Sequence, residues 1–185
     1  LAYDERFHAY PVREIIHVGD SKPDLIFQAA YDEGLGTVTT STDLNGNTST
    51  YGYDSLGRLI NVVKPGDTLA YPTSEYDYAL AVPFGSNGLV NYVESRVLDR
   101  TPPTAGGKRD HYLISRQFSD GLGRGLMTRQ EAEPAPGSNT PRVAVSGAVQ
   151  FNARQKPYRG LNAFFTVMTG SLDELLAFEN IESPD

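Results

Sequence analysis

Short apolar and β-branched runs, broken at close intervals by Gly, Pro, Asn and Asp, fill most of the chain. That rhythm predicts strands and tight turns rather than long helices. Residues 12–18 (VREIIHV) and 25–32 (LIFQAAYD) read as strands around a GDSKPD turn, Gly19 and Pro23 leaving a helix little room. Residues 37–43 (TVTTSTD) and 48–54 (TSTYGYD) read as a hairpin across LNGN, an Asn-Gly signal that favours positive φ. A further turn at 55–58 (SLGR) leads into a strand over 59–65 (LINVVKP), which completes a meander.

Beyond it, residues 66–83 suggest the start of another strand pair and residues 90–99 (VNYVESRVLD) a strand. Residues 100–110 and 134–141 are loops by composition. Between them, 111–120 and 125–133 flank a glycine turn as a hairpin. Residues 142–151 (RVAVSGAVQF) read as the last strand. Only the end changes period. Ser171 stands three residues before Glu174, a capping box, with Leu172, Leu175 and Leu176 on one helical face, which predicts a short helix over 171–182. The fold class expected is all-β, a mainly antiparallel strand-turn ribbon with one C-terminal helix.

Composition narrows the function. The 185 residues fit one domain or a piece of a larger protein, and the missing initial Met favours the piece. Sixteen basic against twenty-three acidic side chains give a net charge of −7, the wrong sign for a phosphate-backbone binder. There is no cysteine, so disulfides, thiolate catalysis and cysteine-zinc sites are excluded. No apolar run approaches the ~20 residues of a membrane-spanning helix, and no signal segment opens the chain.

A repeated phrase stands out. Tyr-Asp pairs occur at Tyr31-Asp32, Tyr53-Asp54 and Tyr76-Asp77, spaced by 22 and 23 residues, with Tyr3-Asp4 a candidate fourth. Gly57 and Arg58 follow the second pair, and Phe118, Asp120, Gly121, Gly123 and Arg124 repeat the phrase later. A period of this length is one supersecondary unit of two strands and two turns, the mark of a winding sheet. In such a unit Asp bonds the N–H groups of its turn and Gly supplies positive φ. Arg stacks on the Tyr ring of the next unit or pairs with its Asp. The role expected for these residues is register and turn formation, not catalysis.

The stretch YDSLGRLINVVKPGD resembles the YD repeat of Rhs proteins. The ordered series PGD, EYDYALAVP, FSDGLGR and VSGAVQFNARQKP resembles the middle region of the B subunit of bacterial insecticidal toxin complexes and their SpvB-related kin. Together the resemblance covers residues 31–165, leaving out the terminal helix and residues 1–20. With the helix read from its capping box, the fragment divides into three parts: YD-repeat strands over 1–100, toxin-complex-like hairpins over 101–170, and the helix over 171–182. The resemblance implies a wall segment of a hollow β-shell that encloses a toxic C-terminal polypeptide. It implies the rest of the parent shell, that enclosed toxin and a pore-forming subunit as partners, and a secreted or cell-surface location. No cofactor or metal is implied. Two turns depart from the pattern: FNARQKP lacks Gly-Arg, and GLGT has Thr37 where Arg is expected. The family's self-cleaving aspartate motif and a toxin domain have no counterpart here.

Other chemistry is weakly signalled. Asp43, Asn45 and Asn47 alternate as in a calcium loop, but Thr48 replaces the required glycine and Asp54 the bidentate Glu. His8, His17 and His111 lack metal spacing. Ser146 lacks a nucleophile elbow, and DGLGR is flanked by strand residues rather than preceding a helix. Glu131 and Glu133, a conceivable glycosidase pair, alternate along one strand face beside a Pro-rich loop. A secreted carbohydrate-binding module is the principal alternative, because exposed Tyr rings stack on sugar faces.

Overall fold

The structure is a computed structural model that describes residues 1–19, 22–84, 88–99 and 107–167. Among these residues it is antiparallel β throughout, with one 3-10 turn at Lys108–His111. The strands are β1 (Ala2–Tyr3), β2 (Pro11–Ile16), β3 (Leu25–Asp32), β4 (Thr37–Thr42), β5 (Thr48–Tyr53), β6 (Leu59–Val63) and β7 (Ser74–Phe84). They continue with β8 (Gly88–Leu98), β9 (Tyr112–Ser119), β10 (Gly125–Ala132), β11 (Arg142–Ser146), β12 (Val149–Phe151), β13 (Pro157–Gly160) and β14 (Phe164–Val167). The helix expected over 171–182 lies outside the described residues. The chain divides into two compact units, Leu1–Glu75 and Tyr76–Asp185.

Unit 1 is a meander in which each strand pairs with the next in sequence, β1 to β6, and Ser74 and Glu75 pair with Val62 and Asn61. The first run is a strand and not a helix. Its faces differ. One carries Gln28, Thr42, Thr48 and Thr50; the other carries Phe27, Ala29, Ser41 and Tyr51. Neither carries part of the hydrophobic core cluster, whose buried members among the described residues lie between Val90 and Ala148, although Pro72, before β7, is fully buried. Unit 1 is thus held by its ladders, turns and half-buried rings.

Unit 2 carries that core. Its strands run in the order β7-β8-β9-β10-β11-β14, and a separate pair joins β12 to β13. Ile114, Phe118, Val143 and Val145 on one face are almost wholly excluded from solvent, each contributing ~1.5–3 kcal/mol by burial. On the opposite face Val97 and Leu113, cross-strand partners, are half exposed.

Residues 66–83 do start a further strand pair: after a loop they form β7, which lies next to β8 in the sheet. Thr73 Oγ1 accepts from Lys64 N–H at 2.8 Å and donates to Asp67, closing that loop. Two expectations are corrected. Residues 142–151 are not one strand. Gly147 takes a φ of 62°, and the chain leaves the main sheet there, so β11 and β12 belong to different sheets. Nor is that run the last: β13 and β14 follow. Their composition, with Pro157 opening β13 and Phe164-Phe165 opening β14, lacks an alternating pattern long enough to stand out.

Candidate functional site: an aspartate-capped turn used repeatedly

The chain's repeated phrase becomes one repeated turn. At Asp54 the N–H groups of Leu56 and Arg58 both donate to Oδ1 at 2.9 Å. Gly57 N–H donates to Asp54 O, and Asp54 N–H to Arg58 O. Gly57 is left-handed at φ 75°. This is a three-residue hairpin loop whose last member must be left-handed. The carboxylate satisfies two loop donors, and Arg58 Nε closes on Oδ2 at 2.6 Å.

The same bonds recur at Asp120. Leu122 and Arg124 N–H donate to Oδ1 at 2.9 Å, Arg124 Nε to Oδ2 at 2.6 Å, and Gly123 has φ 77°. They recur at Asp43, with Asn45, Asn47 and a left-handed Gly46. They recur again at Asn152, with Arg154, Lys156 and a left-handed Gln155 at φ 60°. The Asn-Gly of residues 45–46 therefore fills the last two places of a three-residue loop rather than a two-residue one, and of the two only Gly46 has positive φ. Both Asp43 oxygens are taken by Asn45 and Asn47.

A looser form caps the ends of β1 and β3. Asp32 Oδ1 accepts from Gly34 and Leu35, and Gly36 closes the loop at φ 68°. Asp4 accepts from Phe7, Ala9 and Tyr10. Tyr3-Asp4, Tyr31-Asp32 and Tyr53-Asp54 thus each end an odd-numbered strand of unit 1, which is why two strands set their spacing. Tyr31 stacks on Tyr10 with ring centres 5.0 Å apart and donates its hydroxyl to Pro11 O at 3.1 Å.

Tyr76-Asp77 differs. It lies inside β7, three residues from its start, and caps no turn. Asp77 instead pairs with Arg96. Arg96 and Arg116 both hold Glu94, at 2.8 and 2.6 Å, and Glu94 is 6% exposed. Arg116 also lies 4.9 Å over the Tyr92 ring. This network crosses from β7 to β9 on the core face. Of the paired glycines in the second phrase, Gly123 is left-handed and Gly121 is not.

The electrostatics follow the bonds. Tyr10, Phe7 and Ala9 N–H groups hold the Asp4 carboxyl down at about 2. The Asn47 amide and N–H lower Asp43, and the Arg58 N–H and guanidinium lower Asp54. Burial pushes Asp120 upward, but Arg124 and Leu122 outweigh it and the net shift is down. Glu131 moves the other way: burial raises it, against a bond from Ile114 N–H at 2.7 Å and the nearby Arg109.

Two residues missed by the sequence reading complete the arrangement. Phe151 receives the Arg124 guanidinium 4.3 Å above its ring, and Arg124 Nη1 donates to Gln155 O at 2.9 Å. An aromatic followed directly by Asn152 was the available signal, hidden because Asn stands for Asp and Gln-Lys for Gly-Arg. Asn91 is the other. Its Oδ1 accepts from Ala81 N–H and its Nδ2 donates to Asp120 O, tying β7 to the turn.

Residues 31–69 match the RHS Repeat family. That span holds the turns at Asp32, Asp43 and Asp54. No curated protein matches the chain in sequence. Among solved structures, the crystal structure of TcdB2-TccC3 aligns with 76% of this chain at a TM-score of 0.55 and 21% identity. The TcdB2-TccC3-Cdc42 crystal structure aligns with 76% at a TM-score of 0.53 and 17% identity. The chain spans 9% and 11% of those two chains. Likeness at these identities is one of fold. Residues 31–69 are thus an RHS repeat segment, carried in a chain whose antiparallel β fold matches part of TcdB2-TccC3.

Proposed function

We propose that this chain is a non-enzymatic wall segment of an RHS-type shell that encloses a toxic C-terminal polypeptide. The observation that carries the reading is unit 1 itself: a meander of paired strands in which, among the described residues, Pro72 is fully buried but the hydrophobic core cluster lies in the other unit. A sheet without its own core stabilises little by burial, yet its turns and registers are specified residue by residue. Such a sheet suits a barrier whose strength lies in continuity with further repeats. Tyr31, Asp32, Tyr53, Asp54, Gly57 and Arg58 set turn and register in unit 1; Phe118, Asp120, Gly123 and Arg124 do so in unit 2. Tyr76 and Asp77 anchor β7 through Arg96. The partners are the remaining repeats of the parent protein, its enclosed polypeptide and other toxin-complex components, and the setting is secretion.

Protease protection of the C-terminal polypeptide of the parent protein tests this. With the segment intact the enclosed polypeptide resists digestion; deletion of residues 31–69 exposes it. Equal digestion of both would overturn the reading. The carbohydrate-binding alternative has one feature in its favour, a groove of about 410 Å³ in unit 1 bordered by Val12, Glu14, Phe27, Ser41 and Asp43. It presents a single aromatic ring, and Tyr31 is already stacked on Tyr10. A glycan array with binding lost in Phe27→Ala would favour it.

A further inference from the structure

The Asp43 turn differs from the Asp54 and Asp120 turns in the pair at its tip, Asn45-Gly46. The carboxylate takes the Asn45 and Asn47 N–H groups and the Asn47 side-chain amide. The Asn45 amide is left over. It is exposed, and among the described residues no hydrogen bond holds it. Gly46 follows at φ 79°, with open space where a Cβ would project, so no side chain crowds its backbone nitrogen. One bond restrains that nitrogen, its donation to Asp43 O at 3.0 Å. Residues 44–48 are all exposed, so this bond opens without disturbing a core.

Other asparagines are held or shielded. Asn47 and Asn91 use their amides on Asp43, Ala81 and Asp120, and Asn152 Oδ1 takes two N–H groups. The β-branched Thr48 and Val62 follow Asn47 and Asn61, and crowd the nitrogen that Gly46 leaves bare. Asp120-Gly121 could follow the same chemistry, but the Leu122 and Arg124 N–H groups and Arg124 Nε hold its carboxylate.

We propose that Asn45 is a site of spontaneous deamidation, with water as the co-reactant. The Gly46 nitrogen attacks Asn45 Cγ, forming a C–N bond and a five-membered imide. The Cγ–Nδ2 bond breaks, and ammonia leaves with the proton that Gly46 gives up. Water then opens the ring. Attack at Cγ gives aspartate; attack at the main-chain carbonyl gives isoaspartate, with the chain rerouted through the side chain. Either product adds a negative charge beside Asp43. Isoaspartate also lengthens the loop by one backbone carbon, which moves Asn47 N–H off Asp43 Oδ1 and releases the lock between β4 and β5.

The whole 185-residue chain, held in mildly alkaline buffer, is the sample. Peptide mass spectrometry follows it, with electron-transfer fragmentation separating aspartate from isoaspartate. A free peptide of residues 40–50 sets the time scale. Asn45 in the folded chain is expected to convert at least tenfold faster than Asn47 and Asn61, mostly to isoaspartate, while Asp120 stays aspartate. Asn45→Gln keeps the turn, whose bond uses the main-chain N–H of residue 45, and stops the reaction there, because glutamine would have to close a six-membered ring. Asn87-Gly88, whose asparagine lies outside the described residues, is read in a separate peptide. Folded Asn45 still intact when the free peptide has converted, equal conversion at Asn47, or isoaspartate at Asp120 at the same rate would overturn the proposal. None of these results bears on protease protection in the parent protein, so the wall reading stands or falls apart from it.

Discussion

Arg124 lies over the ring of Phe151, 4.3 Å from its centre, while its own turn aspartate Asp120 holds Nε at 2.6 Å. One guanidinium therefore closes its own hairpin and clasps the next one, whose Gln155 carbonyl takes Nη1. Arg can do this because its flat, delocalised cation offers edge donors and a stacking face together, and Lys does not. Arg124→Lys is expected to destabilise the protein although charge is kept. A double-mutant cycle of Arg124→Ala and Phe151→Ala should give a coupling of about 0.5–1 kcal/mol. Chemical denaturation measures it, and additive effects would remove the clasp.

The two glycines of DGLGR are not equivalent. Gly123 has φ 77°, a conformation that costs an L-residue ~1–2 kcal/mol. Gly121 has no such φ, and a Cβ built there meets nothing within 4 Å. Gly123→Ala should therefore lower stability by about 1–2 kcal/mol, and Gly121→Ala should leave it unchanged or raise it by about 0.5 kcal/mol. Thermal melts of the two variants distinguish them. Equal effects would mean that the turn does not demand its left-handed corner.

Gly52 is tight for a different reason. Its φ is ordinary, but Asn61 sits directly opposite on β6, and a Cβ on Gly52 would stand 2.6 Å from Nδ2 and 2.9 Å from Cγ. Gly52→Ala must push the whole amide aside, at about 1–3 kcal/mol. In an Asn61→Ala background the obstacle is gone, and the same substitution should cost much less. Melting of the single and double variants checks this; equal costs in both backgrounds would show that the amide is no barrier.

Much of unit 1 could be read directly. Residues 25–32, 37–42, 48–53 and 59–63 are strands because β-branched runs end at Asp, Asn and Gly, residues with definite roles in turns. The Asp54 and Asp120 turns were legible because Asp, Gly and Arg each contribute a separate bond or dihedral angle to them. Where the same loop is built from Asn152, Gln155 and Lys156, the sequence showed only a departing turn, because Gln-Lys stands where Gly-Arg was expected although the geometry is the same. Tyr76-Asp77 shows the reverse. A count of 23 residues placed it in phase, but β7 has eleven residues, so the pair falls near the strand's beginning. Gly147 turned the chain out of the sheet without any charge or proline to announce it.

Acid should expose the turns. Asp4, Asp43, Asp54 and Asp120 all sit below their ordinary value of 3.8, so the folded state binds protons less readily than the unfolded chain. Their contribution is complete above that value and is lost as pH falls through the folded values, to about 2 for Asp4. Glu131 has the opposite sign. Burial raises it above 4.5, so its contribution is complete below that value and is lost as pH rises through the folded one. Melting temperature measured from pH 2 to pH 7 separates the two. Asp54→Asn should keep the turn, because Asn152 Oδ1 already accepts the same two N–H bonds at 2.9 and 3.0 Å, while weakening the acid dependence. Glu131→Gln can still accept from Ile114 N–H and removes a carboxylate that burial disfavours. It should raise stability at neutral pH relative to pH 4. A neutral-pH loss in Glu131→Gln would show that the ionised carboxylate, held by Arg109 and Ile114, outweighs the cost of its burial.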